Sequence, residues 1–575
     1  AEFLAGQPEY PLIVLQLLYD RGLSDQTKID EFFNPDYVQD LHDPFLLRGV
    51  EQAVARLKQA AGQSEPIAIF GDYDADGVCG AMILKTALEK IGAIIDQVYI
   101  PDRLIEGYGL NKEAVKKIAK GRTKVVVTID CGIANVAEVA LANSLGLEVI
   151  VVDHHQVGEE LPKASAVIDP WQQGDTYPFK ELAGAGVAFK LAQALLKNEP
   201  GVATGWEKWL LDLVALATVA DCMPLLGENR TLVRYGLVVL AQTQRLGLIE
   251  LMKIARLEPT FEKAGLTTNL DAYSLGFVLA PRLNAAGRVE HADLAFNLLA
   301  TDDAVEAKKL AQRIDEKNRQ RQKLTDGIVG EIEERIKGKT GNLKRPVLVV
   351  SDEKWSPGVV GLVAGKIADR YHQPVFVFKE NGATWRGSAR SIPALDLIAL
   401  LRRCAPLLKE FGGHKGAAGV ELAKENFPAF EKKINKLAGA ILKPEDLVPT
   451  LAIDAALLPE ELNWQLFDEL AKFEPFGQGN QAPVFLMKDL TVLSVRLVGN
   501  GDKHLKLEVR GAKQSAIFKA IGFGLGKNGG AELKSGDQVD LVFEVQADEW
   551  QGQRDLGLRI IDFKKIKKYE IHYLC

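Results

Sequence analysis

Three short runs rich in Val and Ile each deliver acidic residues at their carboxyl ends, and this pattern constrains the fold more than any other feature of the 575-residue chain. Residues 67–70 lead through Gly71 into Asp72-Tyr-Asp-Ala-Asp-Gly77, residues 124–129 end on Asp130, and residues 148–152 end on Asp153-His-His155. Near-continuous β-branched runs, separated by helical stretches such as 112–119 and 134–145, predict a parallel sheet covered on both faces. Further strands are expected at 97–100 and 166–168. Open parallel sheets bind ligands at the carboxyl ends of their strands, where all of these carboxylates fall.

Asp72, Asp74 and Asp76 alternate. On extended backbone all three would aim to one side, and their mutual repulsion would raise their pKa values unless a cation neutralised them. Alone, the stretch fits a metal or phosphate site, a calcium loop or an ordinary Asp/Gly turn equally well. Downstream, Asp130, Asp153, His154 and His155 join it, and an apolar helical stretch over 207–220 delivers Asp221. Carboxylates with one or two imidazoles suit Mn2+ or Mg2+ better than Zn2+. In a strand, His154 and His155 would point to opposite sides, one toward a cation and its neighbour toward substrate.

The rest of the chain divides by pattern. Residues 1–48 read as a helical lead-in, 49–300 as the first α/β unit, and 301–340 as a charged connecting helix whose core, 302–336, would span about 50 Å. A second α/β unit is expected over 341–444 and a small β-barrel of oligonucleotide-binding (OB) type over 445–575. The barrel strands are expected at 482–487, 490–497, 504–509, 540–545 and 556–563. Hydrophobic residues at 47% and charged residues at 26% exclude global disorder. No apolar run approaches the roughly 18 residues of a membrane span. The N-terminus shows no signal-peptide pattern, so a cytoplasmic location is expected. Five scattered cysteines point to reduced thiols rather than a disulfide framework. A net charge of -7 gives no global attraction to nucleic acid, so any such binding must be local, in a cleft lined by Lys and Arg.

In order along the chain, Asp72-Tyr-Asp-Ala-Asp-Gly77, Thr128-Ile-Asp-Cys-Gly132, Val152-Asp-His-His155, Val219-Ala-Asp221, Pro281-Arg-Leu-Asn-Ala-Ala-Gly-Arg288 and Gly412-Gly-His414 resemble the DHH phosphoesterase family, with a DHHA1-type second domain. The resemblance runs over nearly the whole chain and is to the branch that degrades single-stranded DNA from 5′ to 3′. It implies two divalent cations, Mn2+ or Mg2+, held by Asp74, Asp76, Asp130, His154 and Asp221, with Asp130 bridging. Asp72 and Asp153 would support the ligands, and His155 would face the scissile phosphate. The reaction would be in-line phosphodiester hydrolysis releasing 5′-mononucleotides in recombination and repair.

Arg282, Asn284 and Arg288 lie in a Gly/Ala-rich loop where guanidinium groups could grip phosphate, whereas most of the 70 basic residues are expected to be solvated surface charges. Arg103, Ser388, Arg390, Gly413 and His414 are further candidates for holding a 5′-terminal phosphate. A passage between the two α/β units would admit one strand, and Lys503, His504, Lys506 and Trp550 are candidates in the barrel. A single-strand-binding protein and a helicase are expected partners by the same resemblance, and no membrane. The alternatives are a phosphoesterase acting on short oligoribonucleotides or cyclic dinucleotides, and a non-catalytic replication scaffold that keeps the fold without the ligands.

Overall fold

The Val/Ile runs are strands, and each stops where its acidic residues begin. In the computed structural model, which describes residues 10–263, 267–338, 345–511, 516–527, 529–550 and 553–566, five strands form one parallel sheet. They are β1 (Ile67–Gly71), β2 (Ile95–Tyr99), β3 (Val125–Ile129), β4 (Glu148–Val152) and β5 (Ala166–Ile168), in the order β2-β1-β3-β4-β5. Every residue of β1 and β3 is buried, as continuous apolar runs require. The strand order reverses between β1 and β3, so Asp72 and Asp130 flank the switch point at which such sheets open a ligand crevice. β2, at the sheet edge and half-buried, begins two residues before the expected 97.

One helix, Ala304–Gly338, covers the expected connector. Its first part buries Ala307, Ala311 and Ile314, and its second part puts Ile328, Val329, Ile332 and Ile336 into the core of a second sheet with Leu348 and Val363. That sheet comprises β8 (Leu348–Asp352), β9 (Val375–Lys379), β10 (Thr384–Arg390), β11 (Glu410–Gly413) and β12 (Ala417–Ala423), following a two-residue ribbon of β6 (Phe261–Glu262) and β7 (Thr267–Thr268). Its order is β11-β12-β10-β9-β8, parallel only between β8 and β9. Both sheets belong to one compact unit, His42–Met223 with Leu232–Thr450.

The other unit joins Pro224–Thr231 to the described parts of Ala1–Leu41 and Leu451–Cys575. Here β13 (Ala455–Ala456) pairs with β14 (Phe485–Val498), and β14, β15 (His504–Arg510), β16 (Ile517–Gly522), β18 (Gln553–Ile566) and β17 (Gln538–Trp550) close into a five-stranded barrel. The two strands expected at 482–487 and 490–497 are one bent strand: Asp489 adopts φ 56 in a bulge, which interrupts the apolar pattern without ending the pairing. β16, whose residues alternate between exposed and buried, is not among the expected strands. The lead-in helices Leu12–Asp20 and Gln26–Phe33 share the barrel's core, with Val14, Leu18, Phe32 and Phe33 packed among Phe473, Phe485 and Phe543.

Among the described residues no helix is long and apolar enough to cross a membrane. Cys79, Cys131, Cys222 and Cys404 are free thiols, and Cys575 lies outside the described residues.

Candidate metal centre and nucleic-acid site

The acidic triplet does not run on extended backbone. Asp72 follows β1, Asp74 caps the helix Ala75–Lys90 by accepting from Asp76 N (2.9 Å) and Gly77 N (3.2 Å), and Asp76 lies in that helix's first turn. The strand-to-helix turn therefore separates the carboxylates that alternation would have aligned. Asp72 and Asp74 converge with Asp130 in one cluster, whereas Asp76 converges with His154 and Asp221 in another; a third contains Asp130, His154 and His155, so Asp130 is common to two. In each cluster the ligand atoms lie within 4.8 Å of one another.

Small residues make the convergence possible. A Cβ on Gly77 would fall 2.6 Å from Asp72 N, and one on Gly184 would fall 2.7 Å from Asp130 Cβ. The second approach brings the N-terminus of the helix Gly184–Leu196 onto Asp76, whose two oxygens accept from Gly184 N and Ala185 N, both at 2.7 Å. Sequence reasoning missed this cradle, whose signal is the run Ala183-Gly-Ala-Gly186 opening an apolar helix. Asn284, expected at substrate, instead accepts from Ala75 N at 2.8 Å and so braces the acidic turn.

The two histidines are not in a strand either. They follow β4, their ring centroids are 4.5 Å apart, and both turn toward Asp130: His154 Nε2 is 3.1 Å and His155 Nδ1 3.9 Å from Asp130 Oδ1. Opposed side chains require a regular strand, and the chain has left β4 by then. Asp153 organises this turn, accepting from Ile133 N (2.9 Å), His154 N (2.8 Å) and His155 N (3.2 Å), with His155 Nδ1 at 2.7 Å.

The electrostatics fit a cation. Burial first, and neighbouring carboxylates second, push Asp72, Asp76 and Asp130 well above the usual carboxylate range and Asp221 to about 7. Asp72 Oδ1 is buried without a hydrogen bond, and Asp130 Oδ1 accepts none although His154 Nε2 is close. Burial and then the charge of His155 lower His154 to about 4, so at neutral pH it is an imidazole with a free lone pair. Burial opposes charge on His155 too, but its hydrogen bond to Asp153 prevails and raises it to about 9. Buried oxygens lacking donors, beside a neutral imidazole, form a donor set suited to Mn2+ or Mg2+.

The arginines separate into two kinds. Arg282 is committed to the fold: its Nε donates to Asp315 (3.0 Å) and its Nη1 to Val278 O (2.6 Å). Arg103, Arg288 and Arg390 instead gather without carboxylate partners among the described residues. Arg103 stacks over Tyr73, 4.7 Å from the ring centroid, and Arg288 Nη1 donates to Gly358 O. Burial, then repulsion from Arg103 and Arg321, lowers Arg288 to about 9, and burial with Arg103 lowers Arg390. Cations depressed by burial and by a neighbouring cation call for an anion. Ser388 and Arg390 share a face of β10, beside the first turn of the helix Val360–Tyr371, where a Cβ on Gly361 would lie 3.4 Å from Ser388 Oγ. Arg321, on the connecting helix with a buried unpartnered Nε, is a member that sequence reasoning missed.

Gly413 ends β11 at φ +136, where a Cβ would strike Ala417 O at 2.3 Å, and His414 is exposed, its Nδ1 accepting from Gly416 N. A cavity of about 450 Å³ lies between Ile105, Gly107 and Tyr108 of the first half of this unit and Arg386, Phe411 and Gly412 of the second. In the barrel a cavity of about 440 Å³ is lined by Arg496, Lys506, Lys519 and Phe523. His504 packs edge-on against Phe523, Lys503 is exposed, and the Trp550 side chain lies outside the described residues.

Residues 66–218 match the family described as DHH family, N-terminal domain; residues 344–440 match the DHHA1 domain and residues 453–562 the RecJ OB domain. The single-stranded-DNA-specific exonuclease RecJ of Bacillus subtilis is 39% identical over 96% of this chain and 67% of its own length. The proteins of that name from Dickeya dadantii (96% of this chain, 95% of its own length) and Escherichia coli (90% of each) are both 34% identical. Among solved structures, RecJ of Thermus thermophilus in complex with Mn2+ superposes with a TM-score of 0.82 at 30% identity over 99% of this chain and 78% of that one. Its complex with Mg2+ gives 0.74 at 28% identity over 99% and 77%. With three domains matched in order and relatives aligned along almost its full length, the chain belongs to the RecJ family of DHH proteins.

Proposed function

We propose that this chain is a metal-dependent exonuclease specific for single-stranded DNA, and that it works from 5′ to 3′, releases 5′-mononucleotides and serves recombination and repair. The observation that carries the reading is the junction, in one unit, of a buried carboxylate cluster that fits a divalent cation with a cluster of arginines that form no close ion pair among the described residues.

Asp74, Asp76, Asp130, His154 and Asp221 would hold two divalent cations, of the Mn2+ or Mg2+ kind that the related structures contain, with Asp130 common to two of the ligand clusters. When bound, they supply Lewis acidity, lowering the pKa of a water and offsetting charge that develops on the phosphate. The protein's own contribution is placement. Asp72 adds charge beside Asp74 and Asp130, and Asp153 fixes the turn and the charge of His155. His155, protonated at neutral pH with Nδ1 engaged, presents its remaining N–H to a non-bridging oxygen of the scissile phosphate.

Arg103, Arg288, Arg390 and Ser388 hold the 5′-terminal phosphate, which sets the register of the cut one nucleotide in. Arg282 and Asn284 support the site from behind, and Gly413 and His414 line the approach of the second half. The cavity between Tyr108 and Phe411 is the passage for one strand, and Arg496, Lys506 and Lys519 of the barrel track its backbone. Residues 49–300, 301–340, 341–444 and 445–575 thus serve as catalytic, connecting, end-holding and strand-tracking parts. A single-strand-binding protein and a helicase would present the substrate in the cytoplasm.

Hydrolysis of a long 5′-phosphorylated single strand, compared with a dinucleotide, tests the reading. The expected result is mononucleotides from the long strand at much the higher kcat/KM; a preference for the dinucleotide would replace DNA by a short oligonucleotide as substrate.

A further inference from the structure

Tyr108 has no part in the site described above except as a wall of the cavity, yet it touches two residues that do. It stands on a braced loop. Gly107 and Gly109 flank it at φ +81 and +82, and a Cβ on Gly109 would fall 2.9 Å from Asn135 Oδ1. The Asn135 side chain clamps the loop by accepting from Leu110 N (3.2 Å) and donating to Leu110 O (3.1 Å). At the other end the Glu106 carboxylate accepts from Tyr99 Oη (2.8 Å), Asp102 N (2.7 Å) and Asn111 Nδ2 (3.2 Å). Tyr108 is 49% exposed, but its hydroxyl turns inward.

That hydroxyl donates to Asp130 O at 3.1 Å and lies 3.1 Å from His155 Nδ1 and 3.4 Å from Nε2, with the two rings edge-on at 5.5 Å between centroids. A phenol has one proton, and here it goes to the carbonyl of a residue held at the left-handed φ of 60. The oxygen's lone pairs are left for His155. Ionised Asp153 only accepts, so His155 Nδ1 carries the proton it donates across 2.7 Å, and the Tyr108 oxygen is its second acceptor. A single hydrogen bond to Asp153 leaves the imidazole free to pivot; the second contact fixes the ring plane. It also ties the turn after β4 to the turn after β3, the two turns that carry His155 and Asp130.

We propose that Tyr108 is a positioning residue for the hydrolysis: its hydroxyl sets the plane of the His155 imidazole, and so the direction in which Nε2 meets the phosphate. The proposal rests on the exonuclease reading for the identity of the substrate, and on the Tyr108–His155–Asp130 geometry for everything else.

Tyr108→Phe in the full chain keeps the ring and removes only the hydroxyl. Under single turnover at saturating single-stranded DNA with Mn2+, it lowers the cleavage rate by about tenfold, while the Kd for the strand and for Mn2+ change by less than about twofold. In a His155→Ala background the same change costs nothing more, because the hydroxyl acts through that ring. The His155 imidazole resonance of metal-free protein labelled with 15N-histidine shifts in Tyr108→Phe. A wild-type cleavage rate, a full second loss in the His155→Ala background, or a loss of Mn2+ affinity parallel to activity overturns the proposal. Should the wild-type chain cut no single strand, the exonuclease reading fails instead, and the imidazole signal alone decides: a shift supports the positioning role and an unchanged signal overturns it.

Discussion

Two regions of one unit gather charge by opposite means. At the ends of β1, β3 and β4, carboxylates are buried against one another and pushed up in pKa by burial and by their own repulsion. On β10, a helix and a loop, Arg390, Arg288 and Arg103 gather, and burial together with the charge of Arg103 pushes Arg288 and Arg390 down. Each cluster is frustrated alone and relieved by a ligand of opposite sign. The acidic cluster is deeply buried and braced by N–H donors, as Asp76 is by Gly184 and Ala185, so it suits a small ion in a fixed place. The arginine cluster leans on carbonyls and a ring, which suits a larger anion that arrives and leaves. The contrast separates chemistry from holding, and substitutions should separate them too.

The largest effect is expected in the acidic cluster. Asp130→Ala and His154→Ala should each lower kcat by at least about a thousandfold, since several kcal/mol of charge stabilisation are lost, while circular dichroism stays native. Mn2+-dependent activity retained by both variants would remove the distinction between the two regions.

Arg390→Ala belongs to the holding side. It should weaken binding of a 5′-phosphorylated strand by about ten- to a hundredfold, from the loss of a charge-assisted hydrogen bond, and leave a 5′-hydroxyl strand nearly unaffected. Equal losses on both ends would show that Arg390 contacts the strand generally and does not sense its terminus.

A pH dependence sharpens the acidic side. Burial and Asp74 raise Asp221 to about 7, above the value it has in the unfolded chain. Between about pH 4 and pH 7 the native, cation-free protein therefore holds a proton that the unfolded chain has released, and its stability falls as pH rises through that window. Mn2+ must displace this proton, and those held by Asp76 and Asp130, so its affinity should fall by about tenfold or more per pH unit below 7. Calorimetric titration at pH 6, 7 and 8 reads this directly, and a flat profile would mean that Asp221 is not a ligand.

The smallest catalytic effects should come from residues with structural work. Arg282→Ala leaves Asp315 half-compensated and should cost about 1–3 kcal/mol of stability in chemical denaturation, with kcat within about threefold. If Arg282→Ala instead behaves like Arg390→Ala, the division of the arginines is wrong.

The acidic cluster was legible because its signal is local: an apolar run ending in Asp, three times over, is a parallel sheet presenting carboxylates at its strand ends. The finer geometry was not. Alternation suggested that Asp72, Asp74 and Asp76 act together, but helix capping by Asp74 sends Asp76 to a different cluster. The arginine cluster was legible only in part, because its members come from a loop, two helices and a strand, and no spacing in sequence records that Arg321 and Arg288 repel. Arg282 and Arg288 sit six residues apart in one motif, yet a buried Asp315 on another helix gives them different tasks. The barrel was legible as a class, but a bulge at Asp489 split one strand into two and β16 was missed.

The central claim is that the strand-end carboxylates are a two-cation site, and anomalous scattering from a crystal grown with Mn2+ tests it most directly. The account predicts two peaks about 4 Å apart, sharing Asp130 as a ligand, one beside Asp74 and the other among Asp76, His154 and Asp221. Peaks elsewhere, or none at Asp130, would contradict it.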